Sequence, residues 1–139
     1  MENFAREVKV DRTKTAVQVI DATGRVKECI DEEVLAEMPL EGRGEDTVEF
    51  FEINHDFTPD GLDREYEARD LRPDPAAVAQ AMTDDPAFAD ERFVGVQWRN
   101  SHGHACYAIF DGLDGERYVT VRRGGSRLSR GCYFAGVRN

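Results

Sequence analysis

In "WRNSHGHACYAIF", residues 98 to 110, His102, His104 and Cys106 recur at a two-residue spacing, and two of the chain's three histidines lie among them. On an extended strand that spacing projects all three side chains from one face. Imidazole nitrogen and thiolate sulfur are a donor set that zinc takes, but such a site needs about four ligands, or three and a water. His55 and Cys132 stand alone, and no second cluster of matching spacing exists. The competing reading is structural. Cys106 continues through Ala108 and Phe110 as an apolar row of the kind that packs on a core, and His102 with Gly103 falls where the chain must reverse. We take the stretch as a hairpin turn with two exposed histidines and a core cysteine. A metal-binding domain or metal-dependent enzyme using His102, His104 and Cys106 is the alternative.

Other chemistry finds no complete set of residues. A Cys/His pair is present, but its members are adjacent on one strand, without an orienting third group. There is no P-loop, no GxGxxG after a strand, no HExxH and no GxSxG. The expectation is therefore a non-enzymatic protein, with no cofactor implied.

Charge is distributed unevenly. Residues 1 to 91 hold 25 Asp and Glu against 10 Lys and Arg, whereas residues 92 to 139 hold 3 acids against 8 arginines. Residues 28 to 74 alone carry 17 acids and only Arg43, Arg64, Arg69 and Arg72. The long acidic tract is thus followed by an arginine-rich tail. In the tail, Arg122, Arg123, Arg127 and Arg130 surround a Gly-Gly turn near Tyr118, Tyr133 and Phe134. Basic residues interleaved with aromatics can hold nucleic acid through phosphate contacts and stacking. That is a second alternative, and the net charge of −10 opposes it at long range.

The elements that must position these residues follow from periodicity and turn chemistry. Residues 14 to 20 and 25 to 30 read as two extended runs joined through Asp21 to Gly24, a hairpin. Asp31 caps a short helix ended by Pro39, with Ile30 and Leu35 as its hydrophobic staple. A strand is expected over 47 to 53, and a charged helix over 62 to 71 in which Glu65 and Arg69 form an i,i+4 pair. Asp74 and Asp85 each precede a proline, which predicts helices over 75 to 83 and 86 to 91. Strands over 93–99, 105–110, 116–123 and 128–137, joined by short turns, complete an antiparallel meander. The fold class expected is α+β: an antiparallel sheet of about five to seven strands with two to four short helices in one globular domain over residues 1 to 139.

No apolar run approaches the ~20 residues needed to cross a bilayer, and the charged N-terminus leaves no room for a signal peptide. Cys29, Cys106 and Cys132 are widely spaced, an odd number without a CxxC pair. They suit reduced thiols in the cytoplasm, and each is read as a small core residue.

The acidic tract agrees in sign with the net charge. Glu41, Glu45, Asp46, Glu49, Glu52, Asp56, Asp60, Asp63, Glu65, Glu67 and Asp70 would form a negative surface, with Phe50, Phe51, Phe57 and Tyr66 as aromatic anchors. Such a surface suits a basic protein partner, for example a nucleic-acid-binding complex. In size and charge the chain resembles small acidic inhibitors as a group: phage-encoded anti-CRISPR proteins, DNA mimics and immunity proteins. That resemblance implies an inhibitor or regulator acting on a basic protein, in the host-cell cytoplasm if phage-encoded. The structural counterpart is a hydrated coat, because a charge run is usually a solvated face.

Overall fold

The computed structural model describes residues 4–124 and 132–139. Strand β1 (Phe4–Lys9) is followed by α1 (Ala16–Ala22), β2 (Val26–Ile30), α2 (Glu32–Ala36) and β3 (Glu45–Ile53). Then come α3 (Pro59–Ala68), β4 (Leu71–Arg72), α4 (Pro75–Asp84) and a 3-10 turn at Pro86–Ala89. The chain continues through β5 (Phe93–Arg99), β6 (Ala105–Leu113), β7 (Glu116–Arg123) and β8 (Cys132–Arg138).

All eight strands join one sheet in the order β1-β3-β8-β5-β6-β7-β2, with β4 pairing β8. The α+β class is as expected, but the sheet exceeds seven strands and is mixed. β2 runs parallel to β7 and β8 parallel to β5. The expected meander holds for β5, β6 and β7. Its fourth strand does not: β8 leaves that series and inserts between β5 and β3.

The expected hairpin over residues 14 to 30 is half wrong. Its first run is helix α1, started by a capping box in which the Thr15 hydroxyl accepts from the Gln18 amide (3.2 Å) and the Gln18 side chain accepts from the Thr15 amide (2.9 Å). Ala16, Val19 and Ile20 then bury one helical stripe, and Gly24 turns the chain at φ 68°. The β-branched residues suggested alternation, yet the cap and the i, i+3, i+4 spacing decide the outcome. Charges mask strand β1 in the sequence: Glu7 and Lys9 take the solvent-facing positions of an edge strand, and Arg6 lies over the Phe88 ring beside Asp85.

Two cores lie on the two faces of the sheet. On one face Val48, Val94, Val96, Trp98, Cys106, Ala108, Phe110, Val119, Val121 and Val137 pack under α1, α2 and α4. On the other, Phe51, Ile53, Phe134 and Tyr107 pack against Leu62 and Tyr66 of α3. Close approach there depends on Gly136, where a Cβ would lie 2.7 Å from the Arg72 carbonyl oxygen and 2.9 Å from the Tyr66 ring. Tyr66 passes over that glycine to donate its hydroxyl to the Ala135 carbonyl at 2.7 Å.

Candidate functional site

The acidic tract does not form one face. Asp60 and Asp63 on α3 both receive Arg99 at 2.8 Å, and Asp63 also accepts from the Gln97 amide at 2.7 Å. Glu65 holds Arg69 at 2.7 Å, the pair expected from the i,i+4 spacing, and His55 lies 3.9 Å from its other oxygen. Glu49 receives Arg138 at 2.7 Å, Asp46 receives Arg43 at 2.9 Å, and Asp70 accepts from the Asn139 amide at 3.0 Å. Burial works against the charge of Arg99, but Asp63 and Asp60 outweigh it and hold its pKa above the ordinary arginine value. These carboxylates fasten α3 to β5 through Arg99 and Gln97, and β3 to β8 through Arg138. Glu41, Glu45, Glu52, Asp56 and Glu67 remain exposed, with no cation within 4.0 Å among the described residues.

The expected aromatic anchors are corrected outright. Phe50, Phe51, Phe57 and Tyr66 are all buried, Phe57 at 5% exposure and Tyr66 at 3%. Phe57 packs edge-on to Phe134 at 5.5 Å, and Tyr66 edge-on to Phe51 at 5.2 Å. The physical reason is that α3 needs an apolar stripe to hold the second face of the sheet, and Leu62 and Tyr66 are that stripe.

The histidine cluster falls on the β5–β6 turn. Asn100 organises that turn, its side-chain oxygen accepting from the amides of His102 (3.0 Å) and His104 (2.9 Å). The two imidazoles are exposed with ring centroids 6.2 Å apart. Cys106 is fully buried in the helical-face core, and burial pushes its thiol pKa up. Among the described residues no three His, Cys, Asp or Glu side chains are grouped as metal ligands. Cys29 departs from the expected core placement, for it is exposed on β2. Cys132 is half-buried, its thiol also pushed up by burial.

In the arginine-rich tail, Arg123 lies opposite Cys106 and 3.9 Å from Glu33, on the helical face. Its neighbour Arg122 lies opposite Tyr107 and so projects from the other face, which prevents the two from forming one basic patch. Arg127 and Arg130 lie outside the described residues. Phe134 is buried, and Tyr133 is packed against Phe4 at 5.6 Å, so neither is free to stack on a base.

What the fold assembles instead is an acidic groove of about 710 Å³ along β1, at the outer end of the sheet. Glu7 and Lys9 come from β1, Glu45, Asp46 and Thr47 from β3, and Gln80 and Asp84 from α4. Burial would raise the carboxyl of Asp46, but hydrogen bonds from Arg43 and the Thr47 amide outweigh it and lower its pKa. Glu7, Glu45 and Asp84 are exposed and Lys9 stands opposite Glu45 in the β1–β3 register. Only Glu45 and Asp46 belong to the tract read from the sequence. Glu7 and Asp84 are remote in the chain, and nothing local in the sequence marks the β1–β3 pairing and α4 packing that bring them there.

The cations explain why acids dominate the surface. Nine arginines and Lys27 sit within 4.0 Å of a carboxylate. Arg25 is buried among the carbonyls of Asp111, Tyr118 and Pro86, and burial lowers its pKa. Arg92 lies over the rings of Phe4, Phe88 and Tyr133. Most of the 28 carboxylates therefore face solvent without a neighbouring cation among the described residues. No described helix is long and apolar enough to cross a membrane. No protein-family model, curated protein or solved structure matches the chain.

Proposed function

We propose that this protein is a non-enzymatic acidic module that binds a basic protein and acts as its inhibitor or regulator, with the groove of Glu7, Glu45 and Asp84 as the centre of contact. The observation that supports it is the internal use of the cations. Because eleven of the fifteen arginines are tied to carbonyls, rings and carboxylates of their own chain, few cations are left to offset the net charge of −10 at the surface. A Lys or Arg side chain entering the groove meets four carboxylates, one of them paired with Arg43, and one lysine, a balance that attracts it. Complementary potentials of this kind raise association rates and select against acidic partners. The partner class extends to nucleic-acid-binding complexes, whose basic channels present the required charge.

The test is affinity capture from an extract of the source cell, run in parallel with the wild-type protein and with the triple variant Glu7→Lys, Glu45→Lys, Asp84→Lys. All three positions are exposed, so the reversal leaves the core untouched. Basic proteins should be retained by the wild type, released between about 0.05 and 0.5 M salt, and absent from the variant. Equal retention by the variant would sink the proposal.

A further inference from the structure

We propose that the free edge of β2, with the apolar groove beside it, binds an extended cationic segment of a partner protein as an added strand. The inference rests on the reading of a basic partner and concerns the opposite end of the sheet from the acidic groove. β2 is the last strand in the sheet order and pairs only with β7 among the described strands, so its outer N–H and C=O groups face away from the sheet. Four of its five residues are exposed, and Val26 stands 47% exposed. Next to it, α1 and α2 enclose a groove of about 600 Å³ walled by Val17, Ile20, Ile30, Leu35 and Leu40. Val17, on its rim, is 52% exposed. Two of the four large exposed hydrophobic side chains among the described residues thus belong to this one corner.

The geometry matches recognition by strand addition, in which main-chain hydrogen bonds hold the segment and alternate side chains enter pockets. Lys27 and Ile30 lie opposite Val119 and Val121 and share the helical face with the groove. Alternate residues of a strand laid along β2 therefore point between α1 and α2, and apolar ones fill the groove. Charge decides the occupant. The surrounding ionic side chains are Asp21, Glu28, Glu32 and Lys27, and the Lys27 ammonium is already paired with Asp21. A second copy of the chain would bring the same acids against these and add its own −10 to the repulsion. A segment alternating apolar residues with Lys or Arg turns its cations to the face away from the groove, beside the exposed Glu28, while Glu32 keeps the groove mouth acidic.

The experiment titrates the whole protein with a fluorescein-labelled peptide of alternating Lys and Val, about six residues long, the usual length of a strand. Anisotropy reports affinity and amide NMR reports location. Saturable binding is expected, with the largest shifts on Val26 to Ile30. Val17→Asp, at an exposed position that tolerates a polar group, should weaken it about tenfold, the worth of one buried apolar side chain. The Glu7→Lys, Glu45→Lys, Asp84→Lys variant should bind this peptide with undiminished shifts on β2. Equal affinity for a Glu/Val peptide, indifference to Val17→Asp, or self-association through β2 in sedimentation would overturn the inference. Shifts confined to Glu7, Glu45 and Asp84 would overturn it while leaving the acidic-groove reading standing. Absence of binding by any cationic peptide would remove both.

Discussion

Asp74 is the residue whose loss should cost this fold most for its size. Its side chain is 1% exposed and receives Arg12 through two hydrogen bonds of 2.9 and 2.8 Å, with Arg72 at 3.8 Å. It also caps α4, accepting from the Ala77 amide at 3.2 Å. Arg12 in turn donates to the carbonyls of Leu40 (3.2 Å) and Arg43 (2.9 Å), so this ion pair ties the end of β1, the α2–β3 connection and the start of α4. Truncation to alanine removes a helix cap, about 1 kcal/mol, and breaks a buried pair, for which about 3–5 kcal/mol is typical. Arg12 keeps 16% exposure and can recover some water, which puts the sum near the lower figure, about 3–4 kcal/mol. In a chain of this length that corresponds to a fall of about 10 °C in Tm. Asp74→Asn retains the capping oxygen and should cost about 1 kcal/mol less. Urea denaturation followed by circular dichroism at neutral pH gives both values. The double variant Asp74→Ala, Arg12→Met removes the stranded cation and should recover roughly 1–2 kcal/mol relative to simple additivity. A loss below about 1 kcal/mol for Asp74→Ala, or strict additivity in the double variant, would refute the assignment of this pair as a buried tie.

Two tyrosines on the second face make an opposed pair of predictions. Tyr66→Phe loses the 2.7 Å bond to the Ala135 carbonyl and should destabilise by about 1 kcal/mol, whereas Tyr107→Phe removes a buried hydroxyl without a hydrogen-bond partner among the described residues and should be neutral or stabilising in the same denaturation assay. Burial, ahead of the surrounding charges, pushes the Tyr107 phenol up to about 12, so an ultraviolet titration of the native protein should show it ionising later than exposed tyrosines. Asp46 sets a sign for acid stability: its folded-state pKa lies below the ordinary carboxylate value, so its contribution is present above that value and is lost as pH falls through the folded pKa. Asp46→Asn should therefore narrow the stability difference between neutral and acid pH, measured as Tm against pH, and an unchanged profile would count against the Arg43 and Thr47 contacts as its cause.

Local chemistry was readable where one short segment contains all its partners. The Asp31 cap and the Asp74–Pro75 start each need only a few adjacent residues, and both helices begin where those residues place them. The helix around Glu65 and Arg69 begins three residues before its apolar spacing predicts, because its start is set by the Thr58 hydroxyl accepting from the Gly61 amide at 3.1 Å, with Pro59 at its first turn. Long-range placement was not readable. Nothing in the sequence of β8 states that it runs parallel to β5 and antiparallel to β3, so short turns alone imply a pairing with β7 that the fold does not make. The same blindness affected the site. Phe57 and Tyr66 read as anchors in a charged stretch because the apolar residues they pack on come from β3, β4, β6 and β8, the last two distant in the sequence.

The preference for arginine, fifteen against three lysines, links the stability of this fold to its surface. A guanidinium can bind a carboxylate with two parallel N–H groups and stack its planar face on an aromatic ring, which a compact ammonium cannot. The bidentate contacts of Arg12 with Asp74, Arg43 with Asp46, Arg117 with Asp90 and Arg138 with Glu49 use the first property, and Arg92 over Phe88 at 4.5 Å uses the second. Each ion pair neutralises one carboxylate and engages its arginine with its own chain, though only the Arg12–Asp74 pair does so out of solvent. The two consequences respond differently to salt. The Arg12–Asp74 pair is shielded by burial and is screened little, while the exposed carboxylates of the β1 groove act through solvent and are screened within about 10 Å at 0.1 M. A hydrated coat and a binding surface therefore part company in one comparison: raising salt should leave the urea midpoint nearly unchanged, and a binding surface should lose its basic partner over the same range.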